Sequence, residues 1–278
     1  YLCPSLCLCV LFRERERERV RMVGPMRPQF VLFGSSIVEF SCSNEGWGAV
    51  LADIYARKAD ILLRGYAGWT SRHALRILDQ VFPLDAALQP SLVIVYFGGN
   101  DSMHPHPSGF GTHVPLPEYI ENMRKIATHL KKLSEKTRII FLSAPPVCKE
   151  KISEIYSDTL AELRTIESCR IYSEACLALC REMDVKGIDL WTALQKKDDW
   201  ETDCLTDGIH LSAEGSKIVV EEILNVLREA DWEPSLHWKS IPTEFEQVLS
   251  IPQLSPDFKT VVSIFKASYC RYSQWDRF

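Results

Sequence analysis

Four short stretches of this 278-residue chain carry side chains that can do chemistry at turns. They are Gly34-Ser35-Ser36-Ile37, Gly65-Tyr66-Ala67-Gly68-Trp69-Thr70, Gly98-Gly99-Asn100-Asp101 and Thr206-Asp207-Gly208-Ile209-His210-Leu211. Together they offer a hydroxyl, two glycine-rich turns, a carboxamide and an Asp-x-x-His pair. Acyl transfer needs such parts: a nucleophile, a base that takes its proton, a carboxylate that fixes the base, and amide donors for an oxyanion. Asp207 and His210, three residues apart, can lie on one side of a loop with the carboxylate on one ring nitrogen. The other nitrogen is then free to face Ser36. Asn100 offers an amide NH2, and Gly68 a backbone N–H with no side chain beside it. Read singly, each stretch has a blander meaning. Serine caps helices, a histidine before a helix is commonly structural, and Gly-Gly-Asn-Asp is a common turn. Their joint order favours chemistry.

Something must bring four distant stretches together. Apolar runs at 30–33, 60–66, 91–97, 138–142 and 185–190 have the length and residue types of interior strands. Between them apolar residues step by three and four: Trp47, Val50, Leu51, Ile54 and Tyr55; Ile120, Met123, Ile126, Ala127 and Leu130; Tyr172, Cys176, Leu179 and Met183; Val220, Leu224 and Leu227. Alternating strands and helices imply right-handed crossovers and a mostly parallel sheet, covered by helices on both faces. In such sheets the working site lies beyond the carboxyl ends of the strands. The first three stretches each follow a predicted strand. The fourth precedes Ser212, which is placed to cap the last helix.

Composition excludes other classes. With 46% apolar and 25% charged residues, the chain reads as globular. A net charge of −5 and the lack of a basic stripe argue against a nucleic-acid partner. No apolar run approaches the roughly 18 residues of a membrane span. Of ten cysteines, Cys3, Cys7, Cys9 and Cys270 lie near the ends, and the other six form no CxxC pair. Cys169, Cys176 and Cys180 share helical spacing with Tyr172 and Met183 and read as core. No metal or cofactor is expected. Residues 102–118 form a proline-, glycine- and histidine-rich loop, in which His104, His106 and His113 read as pocket wall rather than ligands. Trp69 and Phe110 are candidates to line an acyl or alcohol pocket. Asp101 and Ser102 are expected to brace the Asn100 turn.

The ends differ from the middle. The Arg-Glu alternation at 13–21 offers no core face, and a translated GA repeat would produce it. Residues 1–26 are therefore read as a leader outside the domain, with 1–21 translated from an untranslated region and a natural start at Met22 or Met26. A cytoplasmic location follows from that start; secretion is the alternative if the apolar opening is a signal peptide. The domain is placed at 27–245, with 232–245 as a strap packed on it. Residues 246–278 show no periodicity and are expected to be a poorly ordered tail.

The segments VLFGSSIV, LLRGYAGWTSR, VIVYFGGNDS, FLSAPPV and LTDGIHLSAEGSK resemble the SGNH hydrolases, also called GDSL esterases or lipases. The resemblance runs from about Arg27 to Phe245 and is nearest to the plant and fungal subgroup similar to isoamyl acetate-hydrolysing esterases. It implies a flavodoxin-like three-layer α/β/α sandwich with a five-stranded parallel sheet, and hydrolysis of small-molecule carboxylic esters, short acyl or acetyl. It maps the nucleophile to Ser36, the oxyanion donors to the Ser36 N–H, Gly68 and Asn100, and the remaining triad members to Asp207 and His210. One position departs: the family's usual Gly-Asp-Ser is here Gly-Ser-Ser, with Ser35 in the Asp place. That Asp is not the triad acid, and a serine there can accept a turn or cap hydrogen bond. Its loss motivates an alternative, a catalytically weakened binding protein on the same fold. A nucleotide- or flavin-binding module would want several glycines in the first turn, which offers one.

Overall fold

The first strand, β1 (Gln29–Gly34), alternates its side chains between two apolar layers, and the rest of the fold is arranged around that division. A computed structural model describes residues 26–43, 45–109 and 111–245. Expectations for Phe110, for the leader up to residue 25 and for 246–278 lie outside the described residues. After β1 come a one-turn helix α1 (Ser36–Glu39), α2 (Trp47–Ile54) and β2 (Asp60–Gly65), then α3 (Ser71–Val81) and β3 (Leu92–Tyr96). Next are α4 (Leu116–Lys131), β4 (Arg138–Leu142), α5 (Lys149–Ile155), α6 (Asp158–Leu163) and α7 (Ile166–Glu182). The chain closes with β5 (Lys186–Ile188), α8 (Leu190–Gln195), α9 (Trp200–Asp203) and α10 (Ala213–Glu229). The five strands form one parallel sheet in the order β2-β1-β3-β4-β5.

The two faces bury different residues of the same strands. Phe30, Leu32, Ile94 and Ile140 pack with Trp47 and Leu51 of α2 and with Val220 and Leu224 of α10. Val31, Phe33, Val93 and Val95 pack with Leu78 of α3, Met123 of α4 and Leu179 of α7. Cys176 and Cys180 join this second layer as small core residues. Each fully buried Leu, Ile or Phe contributes about 1.5–3 kcal/mol of burial free energy, so period-two alternation in β1 and β3 suffices to fix which face each helix covers. Residues 232–245 run over the first layer: Leu236 and Ile241 enter its core, and the Tyr55 hydroxyl donates to the Leu236 carbonyl at 2.9 Å. No helix among the described residues is long and apolar enough to cross a membrane.

The strand order reverses at β1, whose neighbours β2 and β3 lead away on opposite sides. Such a switch point opens a crevice at the carboxyl ends of β1 and β3. Ser36 follows β1, and Gly98 to Asp101 follow β3. Apolar residues predicted as strand at 185–190 divide differently: β5 ends at Ile188, and Leu190 opens α8. The Asp189 carboxylate accepts from the Thr192 N–H at 3.0 Å, so a cap stops the strand early.

Candidate active site

Ser36 is the first residue of α1, held at the crevice by the backbone around it. Ser35 donates its N–H to the Tyr96 carbonyl of β3 at 3.3 Å, tying the turn to the neighbouring strand. The Ser35 carbonyl accepts from the N–H groups of Val38 and Glu39 at 3.0 and 2.9 Å. Its hydroxyl, expected to be available for capping, makes no cap hydrogen bond, because the backbone carbonyl already satisfies those donors. The residue in the motif Asp position thus shapes the turn through its main chain.

The fourth stretch folds into a tight loop between Cys204 and α10. Gly208 adopts φ +84°, and an added Cβ would run into the Cys148 carbonyl and the Ile152 side chain, so the loop needs glycine there. Thr206 N–H donates to the His210 carbonyl at 2.8 Å and closes the turn. Ser212 caps α10, its Oγ accepting from the Gly215 N–H at 3.2 Å. These restraints put Asp207 and His210 on one side. Asp207 Oδ1 accepts from the backbone N–H groups of Ile209 and His210 at 2.9 and 2.8 Å. Its Oδ2 lies 2.6 Å from His210 Nδ1 and accepts from the Tyr156 hydroxyl, also at 2.6 Å. Across the sheet edge, His210 Nε2 lies 2.9 Å from Ser36 Oγ.

Four donors around one carboxylate decide its charge. Burial alone would make Asp207 harder to ionise, but the hydrogen bonds from His210, Tyr156 and Ile209 outweigh it and hold the carboxyl well below the ordinary aspartate range. An ionised carboxylate only accepts, so His210 Nδ1 carries a hydrogen, and in the neutral imidazole Nε2 is the acceptor that faces Ser36. The Tyr156 phenol is pushed up to about 12, mainly by its bond to Asp207, and stays a donor. Phe40, 45% exposed, packs edge-on against the imidazole with ring centres 5.0 Å apart.

The remaining predicted residues gather nearby. Asn100 Nδ2 donates to the Trp69 carbonyl at 2.8 Å, which links the turn after β3 to the turn after β2. Gly68 sits in that second turn at φ +76°, a conformation that favours glycine. Trp69 stacks on Tyr66 with ring centres 4.2 Å apart and lies 5.7 Å from the His73 ring, and its carbonyl is the group that holds Asn100. Asp101 braces the arrangement, as its Oδ1 accepts from the Ser71 N–H and hydroxyl at 2.9 and 2.5 Å at the start of α3. Burial pushes its carboxyl up to about 6 against the pull of those donors. The three loop histidines diverge: His104 meets Thr165, His106 meets Ser108, and His113 meets the Met103 carbonyl. Among the described residues no cluster of three His, Cys, Asp or Glu could hold a metal ion.

Sequence reasoning missed Tyr156, Phe40 and Arg164. Arg164 donates to the Gly99 carbonyl at 2.6 Å and to Asn100 Oδ1 at 2.9 Å. Tyr156 and Arg164 lie 51 and 64 residues from their partners in a segment of unremarkable helical composition, so no local signal marks them.

A family model described as GDSL-like lipase/acylhydrolase matches residues 32–218. The chain is 63% identical over 253 residues to a rice (Oryza sativa subsp. japonica) protein named GDSL esterase/lipase WDL1, covering 91% of this chain and 97% of that one. It is 34% identical over 241 residues to the Rattus norvegicus isoamyl acetate-hydrolyzing esterase 1 homolog, covering 84% of this chain and 88% of the relative. The solved lipase/acylhydrolase from Enterococcus faecalis shares the fold, with a TM-score of 0.56 at 19% identity over 73% of this chain and 96% of that one. With a parallel sheet in the flavodoxin-like order and relatives of this identity over nearly its whole described length, the chain belongs to the GDSL-like lipase/acylhydrolase family of carboxylic ester hydrolases.

Proposed function

We propose that this chain hydrolyses carboxylic esters of short acyl groups, acetyl foremost, with Ser36 as nucleophile, His210 as general base and Asp207 as the carboxylate that orients it. The observation that carries this reading is the position of the imidazole, 2.9 Å from Ser36 Oγ on one side and 2.6 Å from Asp207 Oδ2 on the other. His210 Nε2 takes the Ser36 proton as Oγ bonds to the ester carbonyl carbon. The carbonyl oxygen becomes an oxyanion facing the N–H groups of Ser36 and Gly68 and the Nδ2 of Asn100. Collapse expels the alcohol, which takes the proton from His210, and water repeats the sequence on the acyl-enzyme.

Support for a short acyl group comes from a relative: the Rattus norvegicus protein that is 34% identical to this chain is named an isoamyl acetate-hydrolyzing esterase homolog, and isoamyl acetate carries an acetyl group. The test uses a fluorophosphonate probe and a series of 4-nitrophenyl esters. Wild-type protein should label on Ser36 and prefer acetate to octanoate. Absence of labelling, or equal labelling after Ser36→Ala, would refute the serine mechanism. Preference for octanoate would refute the acyl assignment alone.

A further inference from the structure

Arg164 follows α6 and is 7% exposed, yet among the described residues no carboxylate pairs with its guanidinium. Its hydrogen bonds go to uncharged groups: Nη1 donates to the Gly99 carbonyl at 2.6 Å, and Nη2 to Asn100 Oδ1 at 2.9 Å and Met103 Sδ at 3.2 Å. Nε has no partner. A cation taken out of water without a counter-ion is expensive, and carbonyl contacts return only part of that cost. The turn itself does not need the cation. Ser102 N–H donates to the Gly98 carbonyl at 2.8 Å, Val114 N–H to the Asp101 carbonyl at 3.0 Å, and Thr112 Oγ1 to the Asn100 carbonyl at 3.1 Å. Arg164 adds a grip on the Asn100 side chain.

That grip has two chemical consequences. An amide whose oxygen faces a guanidinium cannot flip, because flipping would turn its NH2 onto the Nη2 group, which can only donate. Charge drawn toward Oδ1 also leaves the Nδ2 hydrogens more positive, hence stronger donors. One of these hydrogens serves the Trp69 carbonyl, and the second remains for an oxyanion. We infer that Arg164 is a positioning residue for ester hydrolysis, locking the Asn100 carboxamide with Nδ2 toward the reacting carbonyl and strengthening it as an oxyanion donor. The inference rests on the esterase reading above.

The test is a double-mutant cycle with Arg164→Met, Arg164→Lys, Asn100→Ala and the combined variants. It reads kcat and KM for 4-nitrophenyl acetate per folded site, with folded fraction taken from circular dichroism. Arg164→Met should lower kcat about 10- to 100-fold with KM within about twofold, less than loss of the oxyanion donor itself. Arg164→Lys, which keeps charge but cannot hold both oxygens, should fall between. In the Asn100→Ala background, Arg164→Met should change kcat by less than about twofold, since the donor it acts through is gone. Wild-type kcat per folded site in Arg164→Met would overturn the inference, as would an equal fold loss with and without Asn100. If Arg164→Met does not fold, the same cycle run with Arg164→Lys decides between the same outcomes. Wild-type protein that neither labels with fluorophosphonate nor hydrolyses the ester would sink the esterase reading, and this inference with it.

Discussion

Replacing Asp207 by Asn changes one atom and should cost about 10⁴ in kcat. The new amide has two orientations. With its oxygen toward the Ile209 and His210 N–H groups, both 2.8–2.9 Å contacts survive and the NH2 faces His210 Nδ1. With the amide reversed, two partly buried backbone donors face an NH2, and each costs about 1–3 kcal/mol when left unsatisfied. The first orientation therefore wins by roughly 2–6 kcal/mol. Tyr156, 48% exposed, can turn its hydroxyl to water at little cost. The surviving orientation forces Nδ1 to accept, so the ring hydrogen moves to Nε2, where a base is needed. A 10⁴-fold loss corresponds to about 5 kcal/mol of barrier, while the fold should barely change. Stopped-assay kcat on 4-nitrophenyl acetate, normalised to folded fraction, measures it. Tyr156→Phe serves as contrast: it removes a donor but not the tautomer, and should keep activity within about tenfold of wild type. An Asp207→Asn variant within tenfold of wild type, with its fold intact, would refute the tautomer argument.

Three further outcomes are expected. Ser36→Ala should abolish ester hydrolysis, whereas Ser35→Ala should keep a substantial fraction, because only the Ser35 backbone is engaged in the turn; the reverse result would put the register wrong by one residue. Asn100→Ala should lower kcat roughly 10²- to 10³-fold with little change in KM, and a loss that tracks a fall in Tm instead would make the residue structural. Asp101, raised from 3.8 to about 6 by burial, holds its proton longer folded than unfolded. Its stabilising contribution is therefore full below about pH 4 and is lost as pH rises through about 6, a loss of about 3 kcal/mol. Asp101→Asn cannot titrate and keeps an acceptor for Ser71, so it should gain stability relative to wild type between pH 4 and 7; urea melts showing the same difference at both pH values would exclude this.

The sequence by itself determined five interior strands alternating with helices, four of those helices, and the four stretches that carry the candidate site residues, because each rests on short-range regularities. Period-two alternation needs only Phe30 to Phe33, helical stepping only a dozen residues, and Asp207 and His210 find each other across three. Its least secure element was β5, where Ile188 and Leu190 are both apolar and only the Asp189 cap separates strand from helix. The helix at Ser71–Val81 was not marked by apolar stepping; the Asp101 carboxylate on its first N–H is a tertiary contact. Tertiary structure alone decided that the Ser35 hydroxyl caps nothing, that Trp69 packs with Tyr66 and His73, and that Tyr156 and Arg164 reach Asp207 and Asn100. The reason is physical. A buried donor takes whichever acceptor packing brings within about 3 Å, and for residues 50 to 65 positions apart that acceptor is chosen by how α5, α6 and the sheet edge close on one another.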